Sequence, residues 1–233
     1  MVDPLTELEE LRAREQALTR FVALAAHELR APASVVHGVA ATLAARPDEL
    51  TGARGPLLVK MLYEQSLALV RLLDQLLDLS RLDAKAMPIA ARTFAVRSHV
   101  VELVASVAGE RAAEVDVAVD RELEAVLDPD ILDRIVANLV TNALRHGEAP
   151  VRVAAEQTDR HFRLEVEDSG GGVAPELEPR LFDRFAGAPD GEGAGLGLAI
   201  AQSFAHAHGG SIRYERGQAG ARFRLVIPAP PAA

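Results

Sequence analysis

The 233-residue chain has no cysteine. A disulfide framework and any metal or thiol chemistry built on cysteine are therefore excluded, which suits a reducing cytoplasm. Long uncharged apolar runs are missing as well: none reaches the length of about 18 residues needed to suggest a membrane span. The N-terminus, MVDPLTELEE, is acidic instead of basic and then apolar, so neither a membrane segment nor a signal peptide is expected in this chain. Cations are scarce, with 25 Lys and Arg against 34 Asp and Glu and a formal charge of -9. Binding to nucleic acid phosphates, which depends on clustered Lys and Arg, is disfavoured. The remaining composition, 49% hydrophobic and 25% charged, is ordinary for a chain that buries a core. The length fits one elongated module followed by one globular module.

From Leu8 the apolar residues step by three and four through Leu11, Leu18, Val22, Ala25 and Leu29, interrupted by Glu15, as in a coiled-coil seam entering a bundle. A second helix is expected from about Pro56 to Asp83, with Leu58, Leu62, Leu69, Leu72, Leu76 and Leu79 on one stripe widened by Leu73 and Leu77. Pro47, Gly52 and Gly55 mark the turn between the two helices. Two helices bury too little apolar surface to be stable alone, so a dimer closing a four-helix bundle is expected. AKAMPIAAR, with Pro88 as a helix stop, reads as a linker. Beyond it the pattern mixes helices near 97–111, 129–146 and 195–208 with strands near 115–119, 125–127, 151–156, 162–167, 211–215 and 221–227. The fold class is multidomain α and α+β: a helical hairpin, then a two-layer α/β sandwich with a mostly antiparallel sheet.

Residues 27–32 read His-Glu-Leu-Arg-Ala-Pro. His27 falls two positions past the seam residue Ala25, on the outer face, so its imidazole is expected to be wet and reachable. Glu28 can accept the Nδ1–H, which leaves the Nε2 lone pair to attack a phosphoryl group. Pro32 withholds the amide that would bond the Glu28 carbonyl, so a bend is expected just past the histidine. Taken alone, the segment reads equally well as a solvated His-Glu-x-Arg surface with an incidental proline.

Asn138 and Asn142 lie four apart on one helix face, where their amide oxygens can ligate Mg²⁺ or hold its waters; isolated Asn pairs also simply bridge elements. Arg145 and His146, a turn later, can reach phosphates or ribose. Asp168 ends a strand before Ser-Gly-Gly-Gly. A carboxylate there accepts from an exocyclic amine, as on adenine, and not from a carbonyl, as on guanine; an Asp-Ser-Gly turn is also a common strand ending. Gly193, Gly195 and Gly197 open the last long helix, whose unpaired amides suit phosphate oxygens if the segment is not merely a flexible loop.

Together these residues resemble the catalytic core of the sensor histidine kinases of two-component signalling, and the match extends from about Thr19 over nearly the whole chain. HELRAP is similar to the phosphoacceptor box, ANLVTNALRHG to the N box, DSGGG to the first glycine box, LFDRF to the phenylalanine box and GAGLGLAI to the second glycine box. The resemblance implies a coiled-coil lead-in over 1–18, a dimerisation and histidine-phosphotransfer hairpin over 19–84, a linker over 85–92, an ATP-binding domain related to that of gyrase over 93–228, and a tail over 229–233. It implies His27 as phosphoacceptor with Glu28 as base and Arg30 in the same box, Asn138 and Asn142 at Mg²⁺, and Asp168 at adenine. Gly170, Gly172, Gly193, Gly195, Leu196 and Gly197, with Arg145 and His146, would shape the ATP site, and Phe182, Arg184 and Phe185 would border its lid.

The implied activity is ATP-dependent autophosphorylation of a homodimer and transfer to an aspartate of a response regulator's receiver domain. The implied location is the cytoplasm, as a free chain or as the cytoplasmic core of a longer membrane-bound sensor. Two positions depart from the pattern: Ala31 stands where a hydroxyl or amide residue usually orients water for dephosphorylating the partner, and the lid AGAPDGE is short and lacks Lys and Arg. The competing readings are a related ATPase or serine kinase, which needs no helical hairpin, and a non-catalytic dimeric scaffold that keeps the ATP fold.

Overall fold

The computed structural model describes residues 4–83, 90–158, 160–186, 195–217 and 219–228. The chain divides into two compact units between Leu77 and Asp78. Most of the expected linker, residues 84–89, lies outside the described residues, as do residues 187–194, which include most of the lid and Gly193, and the tail over 229–233.

The first unit is built from α1 (Pro4–Ala45), a 3-10 turn at Pro47–Leu50 and most of α2 (Gly55–Asp83). Helix α1 begins four residues ahead of the expected Leu8 and stays helical through Pro32, whose missing amide does not end it. Gly55 sits where the chain turns back: a Cβ there would lie 2.0 Å from the Leu50 carbonyl oxygen, so only glycine fits. Ala25, Pro32 and Val39 are buried, yet Val22, Leu24, Leu57, Val59, Met61, Tyr63, Val70, Leu73 and Leu77 remain exposed. That is a seam without its partner.

The second unit orders β1 (Arg92–Ala95), α3 (Val96–Ala108), β2 (Val115–Val119), β3 (Glu124–Leu127), α4 (Pro129–His146), β4 (Val151–Gln157), β5 (His161–Glu167), α5 (Gly197–Ala207), β6 (Ser211–Arg216) and β7 (Ala221–Pro228). Five strands form one sheet in the order β2-β4-β5-β7-β6, antiparallel except for the β2–β4 pair, and β1 pairs separately with β3. Strand β1 departs from the sequence expectation, which ends the linker at Arg92 and places no strand there. The helix expected over 97–111 ends at Ala108, because Gly109 turns left-handed (φ 55°) and a 3-10 turn follows over Gly109–Glu114. Helix α5 starts at Gly197, two residues later than expected.

Alternation decides the layers. Val151, Val153, Phe162, Leu164, Val166, Phe223, Leu225, Ile227 and Ile212 are buried on one sheet face, against Val96, Val100 and Val104 of α3, Ile131, Ile135 and Leu139 of α4, and Ile200 and Phe204 of α5. The opposite face carries a row that alternates in sign across all five strands: Asp116, Arg152, Glu167, Arg222 and Glu215 are successive register partners. Arg222 donates to Glu167 at 2.9 Å, and neighbouring Arg224 donates to Glu165 at 2.6 Å and to Glu215 at 2.7 Å, which holds the Arg224 guanidinium above its ordinary pKa. Opposite charges at cross-strand positions favour this register and leave no apolar face for a second sheet to stack on.

Asp128 opens α4, its carboxylate accepting from the amides of Asp130 (3.0 Å) and Ile131 (3.4 Å), with Pro129 at the first helical position. Its other oxygen accepts from the amide of Ala90 at 2.8 Å. Past the end of α5, burial pushes the His208 imidazole below its ordinary pKa, with the Asp128 carboxylate opposing, and His208 Nε2 is buried with no hydrogen-bond partner among the described residues.

A histidine that binds its proton less readily in the folded state destabilises that state as pH falls: the unfolded chain protonates first, near pH ~6.5, and the loss is complete once pH has passed below the folded value. Urea melts should therefore show the parent losing stability between about pH 7 and 5 more steeply than His208→Gln, which cannot titrate. Equal slopes would mean that His208 contributes nothing to acid sensitivity.

Candidate nucleotide site

Asp168 is only 4% exposed, at the first position past β5. A buried carboxylate needs donors, and its Oδ1 has two: the amides of Gly170 at 2.9 Å and Ala221 at 3.2 Å. The Asp168 amide donates in turn to the Ala221 carbonyl at 3.0 Å, extending the β5–β7 ladder by one step. Two glycines far away in sequence make room for the side chain. A Cβ on Gly147 would lie 2.3 Å from Asp168 Cγ, and one on Gly220 would lie 2.4 Å from Oδ1. Gly147 closes the ANLVTNALRHG motif and Gly220 lies in the GQAG turn between two strands, but nothing in the sequence ties either to Asp168.

The loop after Asp168 is tied to the end of α4. Ser169 donates its amide to the Glu148 carbonyl at 2.9 Å and its hydroxyl to the Pro150 carbonyl at 2.9 Å. Arg145 and His146, in the last turn of α4, are exposed beside this junction. Asn138 and Asn142 are half-buried one turn apart on the same helix. Asn138 Nδ2 donates to the Arg134 carbonyl at 2.7 Å, and a Cβ on Gly197 would lie 3.0 Å from Asn138 Oδ1. The N box therefore touches the first residue of α5 directly.

The phenylalanine box meets the second glycine box through one backbone bond, from the Phe185 amide to the Gly195 carbonyl at 2.9 Å. Both residues are left-handed, with φ 63° at Phe185 and 61° at Gly195. Leu196, between Gly195 and α5, is buried. Phe182 packs edge-on against Phe223 with ring centroids 6.5 Å apart, while Arg184 is exposed. Four motifs separated by up to about sixty residues thus converge within the second unit.

In the first unit His27 is exposed, as its place off the seam requires, with Glu28 half-buried beside it and Arg30 and Ala31 exposed. Among the described residues no cluster of three or more His, Cys, Asp or Glu side chains is placed to hold a metal, so any cation would rely on amide oxygens and on its ligand's own oxygens. No described helix is long and apolar enough to cross a membrane.

Comparison with known proteins also finds two parts in the chain. The His Kinase A (phospho-acceptor) domain matches residues 17–85, and the histidine kinase-, DNA gyrase B- and HSP90-like ATPase family matches residues 127–231. The signal transduction histidine-protein kinase AfsQ2 of Streptomyces coelicolor is 35% identical over 236 residues, covering 95% of this chain and 44% of AfsQ2. Full-length ShkA, solved in complex with AMPPNP, is similar with a TM-score of 0.65 at 28% identity, over 92% of this chain and 46% of that one. The histidine kinase ThkA, solved in complex with the response regulator protein TrrA, shares the fold with a TM-score of 0.68 at 23% identity, over 99% of this chain and 68% of that one. The chain spans about half the length, or less, of the curated relatives it matches. With a phospho-acceptor domain and an ATPase domain in series, the chain belongs to the sensor histidine kinases of two-component systems.

Proposed function

We propose that the chain phosphorylates itself on His27 from ATP, as a homodimer, and passes the phosphoryl group to an aspartate of a response regulator's receiver domain. The observation that carries the reading is the pairing, in one chain, of an exposed His27 next to a half-buried Glu28 with a buried Asp168 walled by glycines. The dimer rests on the exposed apolar stripe of α1 and α2, which a second copy would cover in a four-helix bundle.

Asp168 is suited to the adenine edge: the Gly170 and Ala221 amides hold Oδ1 in place, and a charged acceptor favours an exocyclic amine. Glycine at 170, 195 and 197 lets backbone approach a flat base and phosphates. Asn138 and Asn142 would hold Mg²⁺ through oxygen, which fits a metal that keeps most of its ligands as water and substrate phosphate. When bound, Mg²⁺ would offset phosphate charge. Arg145 and His146 flank the same end of α4 and would meet phosphate or ribose, while Phe182, Arg184, Phe185 and Leu196 would border the nucleotide.

Glu28 accepts the Nδ1–H of His27, so Nε2 carries the lone pair that attacks the γ-phosphorus. As the N–P bond forms, the bond to the bridging oxygen breaks and ADP leaves with that electron pair. The Nδ1 proton passes to Glu28, and the phosphoimidazole is left without a cationic ring. An exposed His27 suits both partners in turn, ATP and the receiver aspartate.

The reading is tested by incubation with γ-labelled ATP: the label should be acid-labile and base-stable, as on a phosphoimidazole, and His27→Gln should abolish it while ADP affinity is unchanged. Acid-labile label persisting in that variant would move the acceptor elsewhere, with His37 the next to test. An acid-stable label would indicate a serine kinase, and ADP binding without any label would indicate a non-catalytic scaffold.

Ala31 offers no donor or acceptor to orient water, so hydrolysis of the regulator's aspartyl phosphate should be slow. Ala31→Thr restores a hydroxyl one turn from His27, on the same helix face. With ADP and a purified phosphorylated regulator it should speed dephosphorylation by about fivefold, the net worth of one ~1 kcal/mol hydrogen bond. Rapid hydrolysis by the parent, or no gain in the variant, would defeat the argument.

A further inference from the structure

Residues 170–172 are three consecutive glycines, and ordering their backbone costs more conformational entropy than ordering other residues. The start of the loop is anchored to the end of α4 through Ser169, but its tip and its exit are anchored to β6. Arg216 Nη2 donates to the Gly171 carbonyl at 2.9 Å, and the Val173 amide donates to Tyr214 Oη at 3.1 Å. Between these two bonds Gly172 is left-handed (φ 75°), and a Cβ there would lie 3.3 Å from Tyr214 Oη and 3.7 Å from Arg216 Cζ. The Tyr214 ring is fixed from below by Phe223, centroids 5.7 Å apart, and Phe223 also meets the Phe182 edge at 6.5 Å. Tyr214 and Arg216 alternate with Glu215, whose carboxylate faces the charged side of the sheet and pairs with Arg224. The two side chains on the loop side are thus set by strand geometry.

We infer that Tyr214 and Arg216 are positioning residues for the nucleotide, holding the glycine loop in its binding conformation before the ligand arrives. The inference rests on the proposed reading of the Asp168 loop as the nucleotide site. Without the clamp, ADP has to order the loop as it binds, and affinity falls although no contact to the ligand is lost. Phe223 lies between Tyr214 and Phe182, so the ring that supports the clamp also meets the phenylalanine box.

The test uses the full chain, with ADP as the probe. Tyr214→Phe removes the acceptor oxygen and keeps the ring on Phe223; Arg216→Gln weakens the second anchor separately. Each should raise the Kd of ADP about two- to tenfold, the range of one hydrogen bond's net worth, with a less favourable binding entropy. Amide exchange should quicken at Gly171, Gly172 and Val173 in the ligand-free protein, while its melting temperature stays near that of the parent. A purely structural tyrosine would lower the melting temperature and spread faster exchange beyond these residues, which overturns the inference. So does unchanged ADP affinity in both variants. A parent that fails to bind ADP fails the nucleotide reading itself, a result distinct from a parent that binds and variants that bind equally well.

Discussion

A carboxylate buried beneath a loop is the constraint that organises the second unit. Removing a charged oxygen pair from water costs several kcal/mol unless donors replace the solvent, and Asp168 receives them from two backbone amides, Gly170 in its own loop and Ala221 at the start of β7. Satisfying Asp168 therefore fixes where the loop turns and how β5 and β7 end relative to each other. It also dictates composition at a distance: Gly147 and Gly220 cannot carry a side chain, because a Cβ at either would occupy the carboxylate's volume. The last turn of α4, with Arg145 and His146, is brought to the same place by that requirement.

The two units meet their stability needs differently. In the second, three helices and the apolar sheet face close a core, while the outer face is solvated through an alternating ladder of Arg and Glu. The first leaves much of its apolar stripe in water. An unfinished hydrophobic seam on one unit and a finished core on the other suit a chain in which association and nucleotide binding are assigned to separate parts.

Much of this was legible locally. Period-two alternation placed strands 115–119, 151–157, 161–167, 211–216 and 221–228 to within a residue or two, and the helix expected over 129–146 coincides with α4. The off-seam position of His27 foretold its exposure. What escaped was non-local: β1 exists because it pairs with β3 some thirty residues on, and four residues carry too little pattern to announce a strand alone. The glycines that wall Asp168 and the Tyr214 and Arg216 anchors lie on other elements, so no spacing rule links them to it.

The role proposed for Asp168 is that of acceptor for an exocyclic amine. Calorimetry with ADP and with IDP, which carries a carbonyl in place of that amine, tests this directly. The parent should prefer ADP by about ten- to a hundredfold, the worth of a ~1.5–3 kcal/mol hydrogen bond to a charged group, and Asp168→Asn should erase the preference. A parent that binds IDP as tightly as ADP would contradict the account.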